Sequence, residues 1–177
     1  MAGQVGKLVR LGQFLNGDGF QDYQHALLYA GYFAFTPNAG RPVPMAGSGP
    51  GHYVIEAMPG GARLRRLDCD PENYPGALWS TGRIVLTPAQ RSRISAAAWG
   101  YLGTPYSAAD YFELAAHRLH LHPLDNLLRN SIQTSRHMIC SQYVDRCYSD
   151  GGYTLFKDKR WDGYVTPLDL AHRLQAS

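Results

Sequence analysis

The sequence predicts an α+β domain in which an antiparallel sheet comes first and a helical layer packs against it afterwards. Two observations carry this. Up to Leu86 the apolar residues fall in short runs, rich in β-branched and aromatic side chains and separated by Pro/Gly turns. From Thr87 onward they recur at helical spacing behind cap-and-proline starts. The chain of 177 residues is most simply one domain spanning residues 1–177, long enough to bury a real core.

Taken in order, Gly3 to Gln21 reads as an irregular lead-in ending at the turn-rich Asn16-Gly17-Asp18-Gly19. Gln24 to Tyr32, compact and aromatic, is the first strand. Thr36 to Gly51 is full of proline and glycine without periodicity, a surface loop between paired strands. His52 to Ala57 follows as a strand with β-branched residues at its centre. Pro59-Gly60-Gly61 turns it into Arg63 to Leu67, where charged and apolar residues alternate, and Trp79 to Leu86 reads as a fourth strand.

Helices begin at Thr87-Pro88. Thr87 can cap, Pro88 suits the first helical position, and Ile94, Ala97, Ala98 and Tyr101 share a face. Gly103-Thr104-Pro105-Tyr106 breaks that helix, and Ser107 opens another that runs to His120. Pro123 to Asn130 is a short amphipathic piece. Met138 to Ser149 is a helix stopped by Gly151-Gly152, and after an aromatic loop from Tyr153 to Trp161, Thr166-Pro167 starts a terminal helix.

Bulk properties exclude several classes. Hydrophobic residues at 45% and charged residues at 18% are those of an ordinary globular protein. A net charge of +3, without a basic stripe interleaved with aromatics, argues against nucleic acid as a partner. Three cysteines, an odd number, argue against a disulfide framework and for a reducing compartment or a working thiol. Met1 to Leu15 lacks the apolar centre of a signal peptide. The longest apolar run, Ala26 to Phe35, is about half of the roughly 20 residues a membrane span needs. A cytoplasmic protein without a transmembrane segment is expected, with delivery outside the cell by another route left open.

The candidate chemistry lies in Ser135-Arg136-His137-Met138-Ile139-Cys140-Ser141-Gln142-Tyr143-Val144. Cys140 falls where a helix begins, and the first turn of a helix offers backbone N–H groups and the positive end of its dipole. A thiol in such a place is shifted toward thiolate, the nucleophilic form. A cysteine hydrolase also needs an imidazole and a polar group that holds it. His25 on the first strand is the candidate imidazole. Glu56, flanked by apolar residues on the next strand, needs a partner because a buried unpaired charge is costly, and an imidazole on the adjacent strand would serve.

These segments are similar to the circularly permuted, NlpC-type papain-like cysteine hydrolases, the YiiX-like group. The matching residues are His25-Ala26-Leu27-Leu28-Tyr29, Val54-Ile55-Glu56-Ala57-Met58-Pro59-Gly60-Gly61, Gly103-Thr104-Pro105-Tyr106, Cys140-Ser141-Gln142-Tyr143-Val144 and Thr166-Pro167-Leu168-Asp169-Leu170. They cover Gln24 to Leu170, in the order His, Glu, Cys; the usual arrangement has cysteine first, so this order implies permutation. The resemblance implies a permuted papain-like fold, an antiparallel sheet or half-barrel against a helical layer that carries the nucleophile. It also implies a thiol hydrolase or amidase with Cys140, His25 and Glu56 as triad and no cofactor. The Pro/Gly loop from Thr36 to Gly51 departs from the family pattern and points to a different substrate selection.

Alternatives stand beside this. His52 is a rival third member, and with Tyr106 and Tyr143 it is a candidate substrate contact. The substrate is a peptide, a cell-wall peptide among the choices, with an acyl ester of a lipid-directed hydrolase or acyltransferase as the second reading. A catalytically inactive binding module is the third. Cys147 reads as core, Cys69 as loop, and His137 as solvent-facing. His117, His120 and His122 cluster without a carboxylate or cysteine at ligand spacing, so they read as a solvated helix end, not a metal site. Asp110 and Glu113 read as helix surface.

Overall fold

The computed structural model describes residues 23, 25–34, 45–67, 84–106, 138–158 and 165–175. The expected lead-in, the helix from Ser107, the piece from Pro123, and His137, Cys69, Asp110, Glu113 and the His117–His120–His122 cluster lie outside them.

The architecture is α+β. Four strands, β1 (Leu27–Phe33), β2 (Met45–Ala46), β3 (Gly51–Met58) and β4 (Gly61–Arg66), form a sheet in the order β1-β3-β4-β2. β1 and β4 run antiparallel to β3, whereas β2 pairs parallel with β4 at Leu64 and Arg65. The end of the expected Thr36–Gly51 loop therefore contributes a short strand. β3 joins β4 through Pro59 and Gly60. Proline presets φ at the first turn position, and Gly60 takes φ +105° at the second, where a side chain would be strained. A Cβ on Gly61 would lie 3.0 Å from the Thr104 carbonyl, so this position needs glycine for room as well as for its φ of +111°.

Three helices follow among the described residues: α1 (Pro88–Gly100), α2 (Cys140–Asp150) and α3 (Pro167–Gln175). Thr87 caps α1 in a capping box with Gln90, and Thr166 and Asp169 make the equivalent exchange at the start of α3. The expected strand from Trp79 is corrected in its described part. Residues 84–86 are not strand: Ile84 is buried and Val85 exposed, but the Leu86 carbonyl accepts from Arg91 Nε of α1, and no strand among the described residues pairs with the segment. Alternation was real; a ladder partner was missing.

The core lies between the sheet and α1 and α2. Tyr53, Ile55, Ala57, Ala62 and Leu64 from the sheet meet Ile94, Ala98, Tyr143, Val144 and Cys147 from the helices. β3 is buried on both faces, so Val54 and Glu56, which alternate with the core residues, are also shut from solvent. No helix among the described residues is long and apolar enough to cross a membrane.

Candidate active site

α2 is anchored on three sides. The Ser141 hydroxyl donates to the Val165 carbonyl just ahead of α3. The Tyr143 hydroxyl donates to the Ala98 carbonyl of α1 at 2.9 Å. Arg93 Nε and Gln90 Nε2 of α1 donate to the Gly151 and Gly152 carbonyls beyond the helix end. At the helix start, Gln142 Oε1 accepts the Ile139 N–H at 3.1 Å, which leaves Cys140 as the first helical residue.

A backbone strap ties this start to the sheet. Ala62 N–H donates to the Thr104 carbonyl and Gly103 N–H to the Ala62 carbonyl, both at 2.8 Å, and Met138 N–H donates to the Pro105 carbonyl at 3.1 Å. Gly103-Thr104-Pro105-Tyr106 thus runs from the β3–β4 hairpin to the segment that leads into Cys140.

Cys140, His25 and Glu56 are brought together. His25 sits just ahead of β1, and its Nε2 lies 3.0 Å from Glu56 Oε2. The imidazole also hydrogen-bonds the Cys140 thiol. Cys140 is 2% exposed, and the His25 side chain, at 26%, presents more surface to solvent.

The electrostatics follow from these partners. Burial lowers the His25 pKa, but the Cys140 sulfur, by charge and hydrogen bond, and then Glu56 outweigh it and raise it from 6.5 to about 10. Burial pushes Glu56 up, yet hydrogen bonds and charge from His25 and Arg63 hold it down at about 2. The arrangement therefore favours an ionised carboxylate beside an imidazolium. Chemically, this places a proton donor beside a thiol.

The other expected site residues separate. His52, the rival third member, lies four residues from Glu56 along β3, about 13 Å at strand rise, and pairs with Tyr32 of β1. Its Nδ1 is 2.7 Å from the Tyr29 hydroxyl on the exposed surface, so it does not orient His25. Tyr143 is corrected as a substrate contact. It is fully buried, its hydroxyl is donated to α1, and its ring packs edge-on against Tyr101. Burial pushes its pKa up, as expected for a core phenol. Tyr106 is half-buried against the core, next to the strap bond at Pro105.

Sequence reasoning missed Arg63 and Arg65, which reach Glu56 Oε1 from β4. A signal existed. A two-residue turn at Pro59-Gly60 puts Glu56 directly opposite Arg63, and that is the register observed.

The chain matches no protein-family model, no curated protein and no solved structure.

Proposed function

We propose that this protein is a thiol hydrolase of the permuted papain-like kind, cleaving an amide bond through an acyl-enzyme on Cys140. One observation carries the reading: a single imidazole, His25, partners both a buried carboxylate and a sulfur at a helix start. Cys140 Sγ attacks the carbonyl carbon, and the negative charge passes to the carbonyl oxygen, met by first-turn N–H groups of α2. The tetrahedral adduct collapses as the C–N bond breaks, and the His25 proton goes to the leaving amine. Water then attacks the thioester; His25 takes a proton from that water and keeps it as the C–S bond breaks and the sulfur leaves as thiolate, which restores the starting pair and releases the acid. Glu56 keeps the ring oriented throughout. The favoured substrate is a peptide, with a cell-wall peptide among the choices.

Exposure of Tyr29 and Tyr32, at 52% and 61% on the strand that follows His25, favours the acyl-ester reading as second. Intact-mass spectrometry with a panel of peptide and acyl-ester electrophiles tests both. A peptide adduct on Cys140, absent from Cys140→Ala and from His25→Asn, supports the amidase. Ester adducts alone support the lipid-directed alternative. A panel that leaves Cys140 unmodified would leave only a binding module.

A further inference from the structure

The two oxygens of Glu56 are used differently. Oε2 faces His25 Nε2 at 3.0 Å. Oε1 accepts from both Nε and Nη2 of Arg63 at 2.8 Å, with Arg65 Nη1 further off at 3.6 Å. The terminal torsion of a glutamate is soft, so its carboxylate plane is set by what it binds. Two guanidinium donors converging on Oε1 hold that oxygen more firmly than the point charge of an ammonium would, and the Oε2 contact with His25 then sets the plane. Arg63 is also the Cα partner of Glu56 across the β3–β4 ladder, so the hairpin register itself delivers the fork. Arg65, beyond hydrogen-bonding distance, adds charge without orientation.

We propose that Arg63 is a positioning residue, clamping Glu56 Oε1 so that Oε2 holds His25 against the Cys140 sulfur; this rests on reading Cys140 as the nucleophile. The charged groups around Glu56 are His25 ahead of β1, Arg63 and Arg65 on β4, and Cys140 through His25. Losing Arg63 removes one of the partners that keep the carboxylate ionised, so Glu56 protonates at higher pH. Arg63→Lys keeps the charge and loses the fork; Arg63→Gln loses both.

The test is the rate of Cys140 alkylation by iodoacetamide as a function of pH, with the nitrogen chemical shifts of the His25 ring and the thermal midpoint read on the same samples. Arg63→Lys is expected to slow alkylation about 10-fold and Arg63→Gln about 100-fold, the scale of a misplaced catalytic group. Both should move the acid limb to higher pH and alter the His25 ring shifts, while the lysine variant melts near the wild type. Should the glutamine variant not fold, the lysine variant decides alone. Wild-type rate, pH profile and ring shifts in Arg63→Lys overturn the inference while leaving the hydrolase reading intact, provided His25→Asn still slows the wild-type reaction. A wild-type Cys140 no faster than a free thiol overturns both.

Discussion

A carboxylate with no solvent exposure stays charged at position 56 because cations reach it from two directions, His25 ahead of β1 and the arginines of β4. Taking it away removes the carboxylate that Arg63 and the largely buried Arg65 both face. Glu56→Leu is expected to cost about 3–5 kcal/mol, as for other broken buried ion pairs, seen as a lower midpoint in urea. The pH dependence has a definite sign on each side. Glu56 is held at about 2 against an ordinary 4.5, so its contribution is present above pH 4.5 and fades as pH falls toward 2. His25 is raised from 6.5 to about 10, so its contribution is complete below pH 6.5 and is lost as pH climbs toward 10. Urea midpoints measured across both ranges check this, and a flat alkaline side, or one unchanged in His25→Asn, would contradict the His25 assignment. At this scale the sequence was partly legible. An acid among apolar residues announces that it needs a partner, and the imidazole was within reach of that argument. Arg63 was not found because its surroundings, alternating charge and apolar residue, look like any solvated strand until the turn register is counted.

Helix α2 is held to α1 by features that act over whole elements. A Cβ on Gly151 would run into Ile94 of α1, so Gly151→Ala has to push the two helices apart, at a cost of about 1–3 kcal/mol in thermal or urea denaturation. Tyr143→Phe leaves the Ala98 carbonyl without this donor and is expected to lose about 1–2 kcal/mol. Because that hydroxyl lies in the core, the same variant should leave the rate of Cys140 alkylation by iodoacetamide unchanged. A changed rate in a fully folded Tyr143→Phe protein would place the tyrosine at the candidate site. Helix starts were the most legible elements, since Thr87-Pro88 and Thr166-Pro167 state their capping chemistry locally. The reading from Trp79 failed over its described residues because period-two burial reports a surface, whereas a strand exists only through another strand's hydrogen bonds. Met45–Ala46 was hidden for the converse reason: the pairing that makes it a strand comes from Leu64 and Arg65, far along the chain.

Over the whole molecule, the candidate site draws one residue from ahead of the first strand, one from the central strand and one from a helix near the C-terminus. The α+β class was readable because strand-like and helix-like periodicities are segregated along the chain. How the two halves meet was not, because that depends on long-range backbone bonds that no local pattern encodes. Surroundings divide the two described thiols, both of which are buried. Cys147 has no exposure and burial pushes its pKa up to about 12, whereas Cys140 abuts the solvent-reaching His25. Brief iodoacetamide treatment at neutral pH should modify Cys140 and spare Cys147, and both should react in urea; peptide mass mapping reads the outcome, and early labelling of Cys147 would speak against this packing. The strap from Gly103 to Pro105 adds a mechanical corollary. It works as a fixed-length tether between two jaws, and its grip is main chain, so side-chain changes at Thr104 ought to be nearly silent. One extra glycine spliced in after Thr104 would let the jaws gape, and the fast alkylation of Cys140 should vanish from a protein in which Cys140, His25 and Glu56 are all still present.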